Sequence, residues 1–124
     1  MLKILYAEDN LSERKLIARI LEMSDFEVLV VDDGLEAMEQ AEVWQPDLIL
    51  MDIGLPKVDG LQATKMLREK ESTRRVPIIA VTAWDHHKYR ARAEAAGVDD
   101  YLTKPIERDQ LLTSIRKHLK GVPQ

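Results

Sequence analysis

The chain has 124 residues, no cysteine and a formal charge of −4, with 45% apolar and 32% charged residues. That length suits one compact domain, residues 1–124, able to bury enough surface to need no covalent staple. The composition excludes disulfides, thiolate metal sites and cysteine nucleophiles, argues against general nucleic-acid or membrane-surface binding, and offers no apolar run near the ~20 residues of a membrane span. The opening Met1-Leu2-Lys3-Ile4 lacks the pattern of a signal peptide, so a cytoplasmic location is expected.

Five short apolar runs alternate with segments of helical spacing. The first run, Ile4 to Ala7, leads through Asn10, a helix cap with Glu13 three residues on, into a helix over Leu11 to Met23. Its predicted inner face is Leu16, Ile17, Ile20, Leu21 and Met23. Val28 to Val31 forms the second run, Asp33-Gly34 a loop, and Ala37, Met38, Ala41 and Trp44 the next helical face. Leu48 to Met51 is followed by a loop over Pro56 to Gly60 and a helix carrying Ala63, Met66 and Leu67. Ile78 to Thr82 precedes a weak helical pattern, His86 to Ala96, with Tyr89, Ala93 and Ala96 inward, Asp85 as its cap and Gly97 as its left-handed stop. Tyr101 to Leu102 and a final helix with Leu111, Leu112, Ile115 and Leu119 complete the series. Runs that are apolar throughout are expected of parallel strands covered on both faces, so the pattern predicts a three-layer α/β domain.

In such sheets, ligands gather beyond the carboxyl ends of the strands, near the point where winding reverses. Polar residues cluster there: Glu8 and Asp9 after the first strand, Asp52 at the end of the third, Thr82 at the end of the fourth, and Lys104 after the fifth. Carboxylates gathered in one place repel unless a cation relieves them. Hard oxygen donors without histidine or cysteine point to Mg²⁺, which shares its shell with waters and phosphate oxygens and so suits phosphoryl chemistry. Asp9 and Asp52 lie on strands expected to be neighbours and can reach one metal, with Glu8 assisting through water. Asp52 is best placed as a carboxylate nucleophile forming an acyl phosphate. Lys104 would neutralise charge on the phosphoryl oxygens, Thr82 would donate a hydrogen bond to one of them, and Ala83 would leave room for the incoming group.

This constellation resembles the receiver domain of two-component response regulators along essentially the whole chain. The likeness is carried by Ala7-Glu8-Asp9-Asn10, Leu50-Met51-Asp52-Ile53, Leu55-Pro56-Lys57-Val58-Asp59-Gly60, Val81-Thr82-Ala83 and Asp100-Tyr101-Leu102-Thr103-Lys104-Pro105. The resemblance implies a flavodoxin-like, doubly wound sheet of five parallel strands in the order 2-1-3-4-5 with five helices. It further implies phosphoryl transfer from a phosphohistidine on a sensor histidine kinase or histidine phosphotransfer protein, self-catalysed dephosphorylation, and no other enzymatic activity. The Gly54 carbonyl would complete the metal shell, and the Lys104-Pro105 peptide would be cis. Thr82 and Tyr101 would form the switch, Thr82 moving toward the phosphate and Tyr101 turning inward. That change would remodel the face of the fourth helix, fifth strand and fifth helix, where a downstream protein docks.

Glu8 is a common variant at the first acidic position, while Gly54 and Trp84 occupy positions at which receivers tune the lifetime of the acyl phosphate. Only Gly121 to Gln124 follow the last helix, so a single-domain receiver is expected; a receiver cut from a hybrid kinase or longer regulator would read alike. Three rival readings have discriminating features. An aspartyl-phosphate phosphatase wants a second aspartate where Gly54 stands, and a flavin-binding protein wants a phosphate-cradling loop after the first strand. A phosphate-independent binding module would lack Asp52 or Lys104. Plainer roles are open to several residues: Lys104 as a solvated loop lysine, Pro105 as the opening of the last helix, and His86 and His87 as exposed polar residues.

Overall fold

The computed structural model describes residues 1–83 and 87–119. The expected Asp85 cap, the His86 helix start and Trp84 lie outside the described residues. The elements are β1 Lys3–Ala7, α1 Leu11–Met23, β2 Glu27–Val31, α2 Gly34–Trp44 and β3 Leu48–Asp52, followed by α3 Gly60–Glu69, β4 Ile78–Thr82, α4 His87–Ala96, β5 Asp100–Thr103 and α5 Arg108–His118. All strand pairs are parallel, in the order β2-β1-β3-β4-β5. This is the doubly wound topology expected, and its winding reverses beside β1 and β3.

Alternate residues of each strand feed opposite cores. On one face Ile4, Tyr6, Leu48, Leu50, Ile79 and Val81 pack with Ile17 and Leu21 of α1 and Leu111, Leu112 and Ile115 of α5. On the other, Leu5, Ala7, Ile49, Met51 and Ile78 pack with Ala37, Met38 and Ala41 of α2 and Ala63 and Leu67 of α3. A smaller cluster joins Ile53, Ala80, Ala93 and Tyr101 under α4. β3 and β4 are buried along their whole length, which explains their unbroken apolar runs.

The helix ends follow the chemistry of their caps. Asn10, Asp33 and Asp59 accept hydrogen bonds from the backbone N–H groups of Glu13, Glu36 and Gln62 at 3.0, 2.7 and 2.9 Å. Asp33-Gly34 is therefore a helix start, not a loop. Gly97 ends α4 at φ 111°, where a side chain is disfavoured. The inner face of α1 is narrower than its spacing suggested: Leu16 and Met23 are 58% and 75% exposed, because only Ile17 and Leu21 point squarely at the sheet. Met66 is likewise at the surface of α3.

At the amino-terminal edge of the sheet, one side chain ties three backbone carbonyls and a carboxylate. Arg68 donates to the carbonyls of Gly97, Arg74 and Val76 at 2.9, 3.0 and 2.6 Å and to Asp99 Oδ2 at 2.9 Å. The start of β5 is tied to α5 by Asp100, whose carboxylate accepts from Ser114 Oγ at 2.6 Å and from the Tyr101 N–H at 2.9 Å, and meets His118 Nε2 at 3.2 Å. Burial opposes its charge, but these hydrogen bonds outweigh burial and hold the carboxyl below its usual value. A depressed folded value supplies stability above the unfolded value, near about 3.9, and loses it as pH falls through the folded one. Asp100→Asn is therefore expected to cost about 1 kcal/mol at neutral pH, with the gap to wild type narrowing in acid. Urea unfolding at both pH values measures this.

Candidate functional site

The carboxyl edge of the sheet collects the polar residues that the strand pattern placed there. Asp52 is the last residue of β3, beside Val81 of β4, and β1 is its other neighbour. Its Oδ1 accepts from the Gly54 N–H at 2.9 Å and its Oδ2 from Lys104 Nζ at 2.9 Å. The carboxylate is thus held by the turn that follows it and by a lysine from another loop.

Glu8 continues β1 and is 1% exposed. Its Oε1 accepts from Lys104 Nζ at 2.7 Å and its Oε2 from the Asn10 N–H at 3.2 Å, so it both caps the turn into α1 and belongs to the site. Burial and a hydrogen bond shared with Asp52 push the Glu8 carboxyl up to about 7, against the pull of Lys104. Beneath it, burial and then the negative charge of Glu8, Glu13 and Asp52 hold the Tyr6 phenol far above its usual value, so it stays protonated.

Lys104 is 15% exposed at its side chain and is no solvated loop lysine. Its backbone N–H donates to the Thr82 carbonyl at 2.7 Å, which fixes the loop after β5 to the end of β4. The Lys104-Pro105 peptide is cis. Pro105 does not open α5, which starts at Arg108. Burial works against the charge on Nζ, but hydrogen bonds to Glu13, Glu8 and Asp52 outweigh it and hold the ammonium above the usual lysine value.

Glu13 is the residue that sequence reading missed. It was read only as a partner of the Asn10 cap, yet its Oε2 accepts from Lys104 Nζ at 2.6 Å. Among the described residues, Glu8, Glu13 and Asp52 offer carboxylate oxygens that all lie within 4.8 Å of one another. Asp9 is exposed and lies outside that group. The signal for Glu13 was its place in the first turn of a helix that begins two residues after the acidic pair, where side chains overhang the strand ends. Hard oxygen donors around a buried, negatively charged edge are the donor set that suits a divalent cation such as Mg²⁺.

The remaining residues surround this centre. Thr82 is buried at the end of β4, level with Thr103, and Ala83 beyond it is exposed. Tyr101 is buried against Ile53, Ala80 and Ala93, so its ring already occupies an inward position, and the Arg90 guanidinium lies 5.5 Å from the ring centroid. The loop after Asp52 is shaped by Lys57 at φ 66°, which pairs with Asp33 at 3.4 Å.

The family model described as response regulator receiver domain matches residues 4–116. The chain belongs to that family. Its place is therefore in two-component signal transduction. Among related sequences, the polar-differentiation response regulator DivK of Brucella ovis is 39% identical over 116 residues, 94% of each chain. The receiver domain of the sensor histidine kinase PA1611 of Pseudomonas aeruginosa, crystallised with a magnesium ion in its active-site cleft, is also 39% identical. It superposes with a TM-score of 0.89 over 94% of this chain and 96% of that one. Chemotaxis protein CheY4 of Vibrio cholerae superposes with a TM-score of 0.90 at 27% identity, over 96% and 99%. Among the described residues, no helix of this receiver is long and apolar enough to cross a membrane.

Gly60 lets α3 approach the backbone of Asp52. A Cβ there would stand 2.1 Å from the Asp52 carbonyl oxygen, and the Gly60 N–H donates to the Ile53 carbonyl at 2.9 Å. Neither backbone segment can yield without moving Asp52. Gly60→Ala is expected to destabilise the receiver by about 1–3 kcal/mol, the scale of overpacking. Urea unfolding measures the loss, and a variant as stable as wild type would show that the loop gives way freely.

Proposed function

We propose that this receiver is a phosphoacceptor switch in which Asp52 takes a phosphoryl group from a phosphohistidine on a sensor kinase or phosphotransfer protein. The observation that carries this reading is the half-buried lysine that joins Asp52 and Glu8 at the carboxyl edge of the sheet, at 2.9 and 2.7 Å. A carboxylate oxygen of Asp52 attacks phosphorus, the bond from phosphorus to the imidazole nitrogen breaks, and the imidazole leaves with the electron pair of that bond. Lys104 meets the charge on the phosphoryl oxygens, and the Gly54 N–H orients the acceptor through its other oxygen.

Glu8, Asp9, Asp52 and the Gly54 carbonyl are the residues assigned to hold Mg²⁺. When bound, the ion supplies charge neutralisation for the transferring group and for the crowded carboxylates. Ala83 is exposed beside the acceptor strand, which suits entry of the donor. Thr82 donates a hydrogen bond to a phosphoryl oxygen, and its movement is read out at Tyr101 on the α4–β5–α5 face, where a downstream protein docks. Water then attacks phosphorus, the bond from phosphorus to the Asp52 oxygen breaks, and inorganic phosphate leaves with the carboxylate regenerated, so the receiver signals by contact and turns over no other substrate.

Incubation with Mg²⁺ and acetyl phosphate is expected to add one phosphoryl group to the intact mass. The gain should require Mg²⁺ and vanish in Asp52→Asn. Sustained phosphate release from small phosphomonoesters would overturn the switch reading. So would a chain that takes no label from either acetyl phosphate or a phosphorylated histidine protein.

A further inference from the structure

Glu13 belongs to none of the motifs that carry the family likeness, yet it makes the shortest contact to the lysine of the site, 2.6 Å. An ammonium has three N–H donors and no more. Here Glu8, Glu13 and Asp52 take all three, at 2.7, 2.6 and 2.9 Å. A phosphoryl oxygen that is to meet Lys104 must therefore take over a donor already in use.

The three carboxylates differ in what release would involve. Glu8 is 1% exposed, and losing its cation would leave a buried charge uncompensated. Asp52 carries the phosphoryl group and stays. Glu13 is 39% exposed at its side chain and sits in the first turn of α1, where Asn10 Oδ1 holds its backbone N–H at 3.0 Å. It can turn into water with its charge intact, still at the favourable end of the helix. Its departure also removes a like charge from the path of the incoming anion.

We propose that Glu13 is a displaceable counter-charge, a positioning residue that holds the Lys104 ammonium in the unphosphorylated receiver and surrenders it to the phosphoryl group. The inference rests on the assignment of Asp52 as phosphoacceptor. It makes Glu13 a restraint on the switch: the resting chain keeps its lysine occupied until a stronger anion arrives.

The test compares wild type, Glu13→Gln and Glu13→Ala in binding Mg²⁺ alone, and then beryllofluoride at saturating Mg²⁺, followed by calorimetry and fluorine NMR. Glu22→Gln, the same charge change farther along α1, serves as control, and thermal unfolding checks that each variant folds. Both Glu13 variants are expected to bind beryllofluoride about three- to ten-fold more tightly, the scale of one screened like-charge contact. Mg²⁺ affinity should fall by less than about three-fold, and Glu22→Gln should match wild type. Beryllofluoride binding that is unchanged or weaker would overturn the inference, as would a loss of Mg²⁺ affinity beyond about ten-fold, the effect expected of a direct metal ligand. A wild-type chain that binds no beryllofluoride at all would instead overturn the acceptor assignment, and this inference with it.

Discussion

One ammonium group holds the carboxyl edge of this receiver together. Glu8, Glu13 and Asp52 converge within 4.8 Å, the first and last of them buried, and Lys104 reaches all three. Carboxylates so placed repel one another, and burial together with the nearby Asp52 carboxylate pushes the Glu8 carboxyl up to about 7 against the pull of the single lysine. The remaining negative charge is of the kind that suits a divalent cation.

The rest of the fold serves to bring that lysine back to Asp52. Asp52 and Lys104 are 52 residues apart in sequence and meet because β4 lies between β3 and β5. The Thr82 carbonyl accepts the Lys104 N–H, which fastens the loop after β5 to the end of β4. Tyr101, in the strand that leads to Lys104, packs under α4 against Ala93. The lysine that meets Asp52 is therefore joined to α4 through the backbone of β5 and packed side chains. At the opposite edge, Arg68 ties α3 to the starts of β4 and β5 and to the end of α4.

Much of this was legible in the order of residues. Five apolar runs separated by helical spacing correspond to the five strands, and Asn10 and Gly97 mark helix ends as their chemistry predicts. Glu8, Asp52, Thr82 and Lys104 were assigned to the carboxyl edge, and they stand there. Glu13 was not, because a glutamate in a first helical turn is ordinary, and its partner lies 91 residues away. Leu16 and Met23 were read as core because spacing alone does not say how wide a stripe the sheet can cover; α1 buries only its central ridge. Asp33-Gly34 read as a loop because its composition is that of a turn, whereas the aspartate caps a helix that begins at the glycine.

By itself, the sequence determined the fold class, the strand positions to within a residue at each end and the acidic character of one edge, since these follow from local periodicity, caps and the side-chain alternation of strands. Only the tertiary structure decided which carboxylates share the lysine, that Glu8 is sealed from water while Glu13 stays within reach of it, and that Gly60 must remain without a side chain. Those outcomes depend on distances between segments far apart in the chain, and pairwise electrostatics and steric exclusion take effect only once packing has set such distances.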